Sequence, residues 1–320
     1  MSNPLRRPPF DPDVAAVLDE MRANGTLVTV TAGQIAERRR PENTVVEDLS
    51  GFPVDRRDLT VPGYQGAALE LSVFRRPGAP DPAPGILHIH GGGMMLGNRF
   101  AGMSTVLPWV VEHGAVAVTV EYRLAPEHPD PIPVEDCYAA LTWIAAHAAE
   151  LGIDPARIVL VGASAGGGLA AGTALLARDR GGPALLGQML ICPMLDDREE
   201  TVSMRQFDGV GLWDRGSIRT GWTALLGDRR ATPHVSGYAA PSRATSLADL
   251  PATYVDVGSA EVFRDENVAF ASRIWADGGV AELHVWPGGT HGWDQLIPHT
   301  RLARQAVETR NSWIARLLRV

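Results

Sequence analysis

One serine stands in a setting that favours nucleophilic chemistry. Ser164 follows the apolar run at 158–161 and lies between Gly162 and Gly166, before a helix-like stretch rich in small residues. A serine on a tight turn between a strand and a helix needs such glycines, because side chains there would clash. The helix that follows supplies backbone N–H groups and the positive end of its dipole. The pattern predicts Ser164 as a nucleophile; the alternative is a helix start whose small residues serve packing.

A glycine run lies about 70 residues before that serine. His90 is followed by Gly91, Gly92 and Gly93, at the end of a strand-like run at 85–90. Glycines after a strand expose backbone N–H groups with no side chains in the way, which suits the binding of a negatively charged oxygen. On its own the run would be a flexible turn. Placed before a serine of this kind, it predicts an oxyanion-binding loop.

The two histidines at this strand end, His88 and His90, also raise the question of a metal site. Alternate residues of a strand share a face, so both imidazoles could bind one ion. No third histidine or acidic cluster follows within a few residues, only glycines. We therefore expect His88 to be a hydrogen-bonded core residue and His90 to shape the loop. Neither a metal nor an organic cofactor is expected.

A nucleophilic serine needs a base, and the sequence offers nine histidines. His291 is the candidate, because it stands in a glycine-flanked loop after the last strand-like run, where an imidazole is free to reach a site. A carboxylate must orient that imidazole. Glu261 and Asp265 both follow the preceding strand-like run, and Asp265 has the alternative role of an acid at a helix N-terminus. Asp256 lies inside the strand and is expected to point away.

The composition is that of an ordinary globular chain, and it narrows the classes of partner. The 320 residues are 45% hydrophobic and 21% charged, which excludes disorder and a coiled coil. A net charge of −8 makes nucleic acid a poor partner. No window is apolar enough to span a membrane and no signal peptide is apparent, so we expect a cytoplasmic protein. Cys137 and Cys192 fit neither a disulfide framework nor a zinc pattern and are expected to be buried free thiols.

Alternating strand-like and helix-like segments position these residues. Eight runs rich in β-branched residues predict strands, several of them apolar throughout, as in a parallel sheet buried on both faces. They lie at 59–64, 68–75, 85–90, 115–123, 157–164, 187–192, 252–258 and 281–288. Helix-like patterns predict helices at 133–152, 164–182, 264–279 and 300–320. Strands alternating with helices indicate an α/β fold with a mostly parallel sheet.

Two segments do not fit this alternation. The N-terminal part contains two predicted helices, at 11–24 and 31–40, which have no obvious partner nearby in sequence. We expect them to pack on distant residues. The stretch 194–250 has one predicted helix, at 215–227, and no strong strand. A segment this long between two strands predicts an inserted lid.

Four motifs, in this order, resemble the bacterial hormone-sensitive-lipase-like esterases of the α/β-hydrolase superfamily. They are HGGG at 90–93, YRLAPEHP at 122–129, GASAGG at 162–167 and THGW at 290–293. The resemblance extends from about residue 45 to the end. It implies the α/β-hydrolase fold, an eight-stranded, mostly parallel sheet flanked by helices, with a helical cap. The implied cap comprises N-terminal helices at 1–45 and an insertion at 195–240, and the core comprises 46–194 and 241–320.

The resemblance also implies roles for particular residues. Ser164 is implied as the nucleophile and His291 as the base. The implied oxyanion donors are the backbone N–H groups of Gly92, Gly93 and Ala165. A nucleophile, a base and a set of oxyanion donors are the groups that a serine hydrolase of this family needs.

Two positions depart from the family pattern. Ala163 precedes the nucleophile, where the family often has Asp or Thr. The family's usual DPLRDE reads EVFRDE at 261–266, and alignment of the shared RDE ending places Glu261 at the position of the catalytic Asp. Glu261 lies thirty residues before His291, which is similar to the family's spacing. Glu261 is therefore the predicted acid.

Together these assignments predict a serine carboxylesterase that hydrolyses small to medium acyl esters through a Ser164–His291–Glu261 triad and an acyl-enzyme. The same residues would serve an amide or carbamate hydrolase of the formamidase-like kind, and a non-catalytic ligand-binding member of the fold is a third hypothesis. The expected partner is a small-molecule ester, with no nucleic acid, no membrane, and a homodimer left open as the assembly. Candidate pocket residues, each of which could instead be core, are Met94, Met95, Phe207, Trp213 and Trp222.

Overall fold

All eight predicted strands form one sheet in the computed structural model, which describes residues 5–43 and 47–318. The strands are β1 (Asp55–Pro62), β2 (Ala68–Arg75), β3 (Ala83–Ile89), β4 (Val116–Glu121), β5 (Ile153–Ala163), β6 (Gly187–Ile191), β7 (Ala252–Gly258) and β8 (Ala281–Trp286). Their order across the sheet is β1-β2-β4-β3-β5-β6-β7-β8. The predicted α/β fold with an eight-stranded, mostly parallel sheet is confirmed.

The direction of the strands decides where a site can form. β1, β2 and β4 run antiparallel to one another in turn, whereas β4, β3, β5, β6, β7 and β8 are parallel. β3 and β6 are buried along their whole length, as expected for strands covered by helices on both faces. The carboxyl ends of the parallel strands meet at one edge of the sheet. The loops that follow them come together there, at the edge where sheets of this kind bind ligands.

Helices flank the sheet and follow most of the predicted ranges. Within the described residues they are α1 (Pro12–Ala23), α2 (Ile35–Arg38), α3 (Met103–His113), α4 (Ile132–Ala146), α5 (Ala148–Leu151), α6 (Ala165–Asp179), α7 (Val202–Gln206), α8 (Arg215–Leu226), α9 (Arg264–Ala276), α10 (Trp293–Leu296) and α11 (Arg301–Leu318). The predicted segments correspond to α1, α4 with α5, α6, α8, α9 and α11. The last predicted helix extends to 320, and residues 319 and 320 lie outside the described ones.

Two differences from the predicted helices have local causes. The sequence pattern does not indicate α3, because Pro108 lies in its interior and proline usually ends a helix by removing an N–H donor. The helix predicted at 31–40 is a short 3₁₀ turn, Ala32–Gln34, followed by the single turn of α2. The Gln34 side chain accepts a hydrogen bond from the backbone N–H of Thr31 at 3.0 Å, which closes this tight start.

The N-terminal segment packs on distant parts of the chain, as its lack of a local partner predicts. Val14 and Leu18 of α1 are buried in a cluster with Trp293 and Ile297. These two apolar partners lie in or beside α10, almost 280 residues later in the sequence. The N-terminal residues are therefore fixed to the loop region that follows β8.

The insertion between β6 and β7 is held by a hydrogen bond to the N-terminal segment and by ion pairs between its own residues. The backbone N–H of Val30 donates to Ser217 Oγ in α8 at 2.9 Å. Inside the insertion, the buried carboxylate of Glu199 pairs with three guanidinium groups, those of Arg215, Arg219 and Arg230. The N-terminal segment and the insertion thus contact each other. The cap boundaries at 1–45 and 195–240 stay a prediction, and residues 1–4, 44 and 45 lie outside the part of the chain that the structure describes.

Candidate active site

The chain turns sharply at Ser164, directly after β5. The backbone of this residue has φ 57° and ψ −124°, a strained conformation for a residue with a side chain, and it forms the N-cap of α6. Two backbone hydrogen bonds hold the turn: Ser164 N donates to Ile191 O at 2.8 Å, and Met194 N donates to Ser164 O at 2.9 Å. The serine lines a cavity at the edge of the sheet. A strained turn held in this way is typical of a nucleophilic serine.

Two glycines allow the close approach of the chain at this turn. A Cβ atom added at Gly162 would lie 2.2 Å from the carbonyl oxygen of Gly166. One added at Gly166 would lie 2.0 Å from the carbonyl oxygen of Ile89, at the end of β3. Both distances are far inside van der Waals contact, so a side chain at either position would displace the serine. The packing therefore explains why glycine stands two residues before and two residues after Ser164.

The side chain of His291 lies between those of Ser164 and Glu261. Its Nε2 is 2.9 Å from Ser164 Oγ, and its Nδ1 is 3.1 Å from Glu261 Oε1. An ionised carboxylate can only accept, so Nδ1 carries the proton and Nε2 accepts the hydrogen of the serine hydroxyl. Glu261 also accepts from the backbone N–H of Gly258 at 3.3 Å. The structure thus brings together the three residues that the sequence predicts as nucleophile, base and acid.

The alternative acid, Asp265, is engaged elsewhere. Its Oδ2 accepts from the backbone N–H of Ser203 in α7 at 2.7 Å, and its Oδ1 pairs with Arg264 at 2.7 Å. Burial opposes the ionisation of this carboxyl, but the bonds from Arg264 and Ser203 outweigh it and lower the pKa of Asp265. Asp265 therefore connects α9 to the insertion, and Glu261 is the carboxylate that contacts His291.

Burial and neighbouring groups act in opposite directions on His291. Burial disfavours the charged imidazolium, but Cys192 and the carboxylate of Glu261 favour it, and they raise the pKa of His291 well above its usual value. A more basic imidazole is a stronger proton acceptor. It must first lose its own proton before it can accept one from Ser164. Any reaction that uses His291 as a base is therefore linked to pH.

The glycine loop after β3 places free amide groups beside the serine. Gly91 and Gly92 line the same cavity as Ser164. Within residues 5–43 and 47–318, the backbone N–H groups of Gly92 and Gly93 donate to no protein acceptor. Ala165 is the first residue of α6, where a backbone N–H has no partner inside the helix. These three amides are the predicted oxyanion donors.

A cavity of about 440 Å³ opens beside Ser164 and His291. Its walls come from the end of β3, the first turn of α3, α10, and residues 212 and 213 of the insertion. Trp213 is the one predicted pocket residue that lines it. The other four candidates are buried in the core, the alternative that their apolar character left open: Met94, Met95, Phe207 and Trp222.

Each of the two histidines at the end of β3 has a hydrogen-bond partner for Nδ1, whereas the buried Nε2 of His90 has none among the described residues. His88 Nδ1 is 3.0 Å from Thr119 Oγ1, and His90 Nδ1 is 2.8 Å from the carbonyl oxygen of Gly91. Burial lowers the pKa of His88 to about 3 and that of His90 to about 4, so both imidazoles are neutral near pH 7. His90 also stacks on the ring of Tyr122 at 4.2 Å. These contacts match a core role for His88 and a loop-shaping role for His90.

A buried ion cluster that the sequence patterns do not predict supports the histidine loop. Arg310 of α11 is 1% exposed; its Nε donates to Asp256 Oδ2 at 2.7 Å, and its guanidinium also binds the carboxylate of Asp294. Asp256 points away from His291, as expected from its place inside β7. Asp294 lies three residues after His291, so the cluster joins the histidine loop to β7 and α11. The available signal was an arginine on the apolar face of α11.

Comparison with known proteins agrees with this geometry. A model of a family with the α/β-hydrolase fold matches residues 86–295, which include the glycine loop, Ser164, Glu261 and His291. This chain belongs to the α/β-hydrolase family. Esterase LipI of Mycobacterium tuberculosis is 33% identical to this hydrolase over 295 residues, which cover 90% of this chain and 88% of LipI. Carboxylesterase NlhH of the same organism is 33% identical over 300 residues, 90% of each chain.

A solved structure gives the same result at the level of the fold. The hydrolase is similar to bacterial heroin esterase, with a TM-score of 0.89 and 39% sequence identity over 97% of this chain and 98% of that one. The predicted family, the bacterial hormone-sensitive-lipase-like esterases, and the predicted enzyme class, a carboxylic-ester hydrolase, are confirmed. None of the described helices has both the length and the apolar character to cross a bilayer.

Proposed function

We propose that this hydrolase is a serine carboxylesterase that uses Ser164, His291 and Glu261 as its catalytic triad. The observation that carries the proposal is the continuous chain of contacts from Ser164 Oγ through both ring nitrogens of His291 to Glu261. The series of contacts begins at Ser164, which lines a cavity in which an ester can bind. A nucleophile, a base and an orienting carboxylate in hydrogen-bond sequence are what covalent acyl transfer requires.

The reaction would proceed in two proton-balanced halves. Ser164 Oγ attacks the ester carbonyl while His291 Nε2 takes its proton, and Glu261 stabilises the imidazolium that forms. His291 then returns this proton to the leaving alcohol, which leaves an acyl group on Ser164. Water is activated by the same imidazole, attacks the acyl-enzyme and releases the acid.

The amides of Gly92, Gly93 and Ala165 would stabilise the negatively charged oxygen of each tetrahedral intermediate. Free backbone donors of this kind need no reorganisation when the charge develops. Their freedom from protein acceptors, in the part of the chain described, supports this role. Loss of one such donor in a hydrolase costs about 2.7–4 kcal/mol of transition-state stabilisation.

The cavity supports small to medium acyl esters as the substrate class. Its volume of about 440 Å³ lies toward the small end of the usual range for ligand sites, roughly 300–1,000 Å³. Leu212, Trp213 and Val106 give it apolar walls, which suit an alkyl or aryl group. An amide or carbamate hydrolase would use the same triad. The cytoplasmic location and the homodimer stay predictions.

A substrate panel tests this proposal. We expect p-nitrophenyl esters of short and medium acyl chains to give the highest kcat/KM, with a decline once the chain exceeds the cavity. Anilides of the same acyl groups, which differ only in the leaving group, serve as matched controls and should react far more slowly. Anilides that react as fast as their matched esters would instead indicate an amide hydrolase.

Activity is expected to survive exhaustive dialysis against EDTA. The proposed triad supplies the nucleophile, base and orienting acid without a metal, so removal of trace metal should not lower the rate. The rate of hydrolysis of a short p-nitrophenyl ester is measured before and after dialysis, with the melting temperature as a control for folding. Lost activity that returns with added Zn²⁺ would favour a metal-assisted mechanism.

Removal of residues 1–45 is expected to reduce activity and to alter the preference for acyl length. The deletion exposes the apolar partners of Val14 and Leu18 around α10 and removes the contact of Val30 with α8. It thereby loosens the insertion that carries Trp213 into the cavity. kcat/KM across the ester panel and binding of a hydrophobic dye check this. Unchanged stability and selectivity would contradict a cap role for this segment.

A further inference from the structure

Cys192 lies inside the site, although its sequence context indicates only a buried thiol. It follows β6 directly, is 3% exposed and lines the cavity beside Ser164. Its φ of 39° is in the left-handed region, which is unfavourable for a residue with a side chain. A hydrogen bond from Cys192 N to the carbonyl oxygen of Asp256, at 2.6 Å, holds the backbone there. The backbone of Cys192 is therefore held in place by two neighbouring strands, β6 and β7.

Three different metal-ligand atoms meet around this thiol. Within the described ranges, Cys192 Sγ, a ring nitrogen of His291 and a carboxylate oxygen of Glu261 all lie within 4.8 Å of one another. Zn²⁺ binds sulfur at about 2.3 Å and nitrogen or oxygen at about 2.0–2.2 Å in a tetrahedron, which places ligand atoms about 3.3–3.8 Å apart. The three atoms are therefore already within about 1.5 Å of the spacing that a bound ion requires. Two of the three residues, Cys192 and His291, line the cavity, from which water would take the fourth position.

The donor set selects one class of cation. Thiolate and imidazole are good ligands for Zn²⁺ and Cd²⁺, whereas Mg²⁺ and Ca²⁺ prefer sites built of oxygen atoms alone. A thiolate and a carboxylate together balance the charge of a divalent ion, which a buried site requires. The cavity beside Ser164 gives the ion a route from solvent.

We propose that Cys192, His291 and Glu261 form an inhibitory site for a divalent cation of the zinc class. On binding, the thiol of Cys192 releases its proton to solvent and its sulfur forms a bond to the metal. His291 gives the lone pair of Nδ1 while the ring proton moves from Nδ1 to Nε2, Glu261 gives a carboxylate oxygen, and no group changes oxidation state. The inhibition rests on the proposed function, because the ion acts by occupying the proposed base.

The metal would bind Nδ1, because this ring nitrogen faces Glu261, whereas Nε2 faces Ser164. The ring proton then lies on Nε2 and faces Ser164 Oγ as a donor. In this state the serine keeps its hydrogen and is not activated. Removal of the ion restores the neutral imidazole, so the inhibition is reversible.

The chain contains a matched control for Cys192. Cys137 is the only other cysteine, and it is a buried free thiol in α4. In the part of the chain that the structure describes, Cys137 belongs to no group of metal-ligating side chains. Cys192→Ala and Cys137→Ala therefore remove the same atom from two buried positions, only one of which lies in the proposed metal site.

The test titrates Zn²⁺ against the wild type and both alanine variants, each compared with its own rate without metal. We expect equal inhibition of the wild type and Cys137→Ala, full recovery with EDTA, and no effect of Mg²⁺. Cys192→Ala should need at least about 100-fold more Zn²⁺ for half-maximal inhibition. Loss of a group that merely supports a metal ligand already weakens metal binding by about 10–100-fold, and loss of the ligand itself should cost more. Equal zinc sensitivity of Cys192→Ala and the wild type would overturn the proposal.

Binding is measured apart from activity, through the ultraviolet absorbance of the Cd²⁺–thiolate bond. One Cd²⁺ per chain, with absorbance lost in Cys192→Ala and kept in Cys137→Ala, supports the site; no such absorbance in the wild type overturns it. Ser164→Ala retains all three ligands and should show the wild-type absorbance, so the test does not depend on catalysis. Cd²⁺ that binds through Cys192 without inhibition would overturn the inhibitory role and also count against His291 as the base.

Discussion

Ser164→Ala should lower kcat by on the order of 10⁶ while the protein remains folded. The hydroxyl is the atom that would attack the ester carbonyl, and it contacts His291 Nε2 at 2.9 Å. The backbone bonds of Ser164 to Ile191 and Met194 do not involve the side chain, so the turn should persist. Alanine must adopt the same strained φ of 57°, as serine does. kcat for a short p-nitrophenyl ester and the melting temperature are the measurements.

The thiol nearby supplies a useful comparison for this variant. Cys192 lines the same cavity and could in principle act as a nucleophile. Cys192→Ala, assayed without metal, should therefore lose far less activity than Ser164→Ala. If Ser164→Ala kept most of its activity, or if Cys192→Ala were the inactive one, the assignment of the nucleophile would be wrong.

Glu261→Gln should lower kcat by on the order of 10⁴ at neutral pH. The side-chain amide of the glutamine would no longer fix the proton of His291 on Nδ1. It also carries no charge to stabilise the imidazolium that forms when Ser164 attacks. The side chain keeps almost the same size, so the buried position next to Gly258 should remain filled. kcat at neutral pH and the melting temperature check both expectations.

Asp265→Asn is the matched control, four residues later on the same segment. Its carboxylate anchors Ser203 and Arg264, so we expect a loss of about 1 kcal/mol in the free energy of unfolding and little change in kcat. An inactive Asp265→Asn beside an active Glu261→Gln would show that the acid is Asp265. It would also mean that the structure places the wrong carboxylate against His291.

The pH profile gives a further readout of Glu261. His291 acts as a base only when neutral, so kcat/KM should rise with pH as the imidazolium loses its proton. Because the pKa of His291 is raised, the midpoint of this rise should lie above the ordinary histidine value of about 6.5. The residual activity of Glu261→Gln should have its midpoint at lower pH, since one group that favours the imidazolium is gone. A purely structural role of Glu261 would leave the midpoint unchanged.

Features carried by local patterns could be predicted from the sequence. The eight strands follow from short β-branched runs, and the turn at Ser164 follows from glycines that must stand two residues to either side. His291 could be found because a glycine-flanked histidine after the last strand has few other roles. Glu261 could be preferred over Asp265 only through the family pattern, because both follow the same predicted strand within a few residues and the residues alone do not separate them.

Features that depend on distant contacts could not be predicted. Cys192 enters the site because the ends of β6 and β7 hold its backbone, and nothing in its immediate sequence indicates this. Arg310 pairs with Asp294 and with Asp256, which lies 54 residues earlier. The sequence gives no local signal for these pairs beyond one charge on an apolar helix face. The helix α3 is not predicted because Pro108 lies in its interior. Proline usually breaks a helix, and this expectation outweighs the apolar pattern around it.

The measurement that tests the proposed mechanism most directly is mass spectrometry of the protein after reaction with a p-nitrophenyl phosphonate. This reagent resembles the tetrahedral intermediate and transfers its phosphonyl group to an activated nucleophile, with release of p-nitrophenol. We predict one adduct per chain, located on Ser164, in parallel with loss of esterase activity, and no adduct in Ser164→Ala. Complete inactivation with the adduct on another residue, or esterase activity that persists with Ser164 fully labelled, would contradict the mechanism.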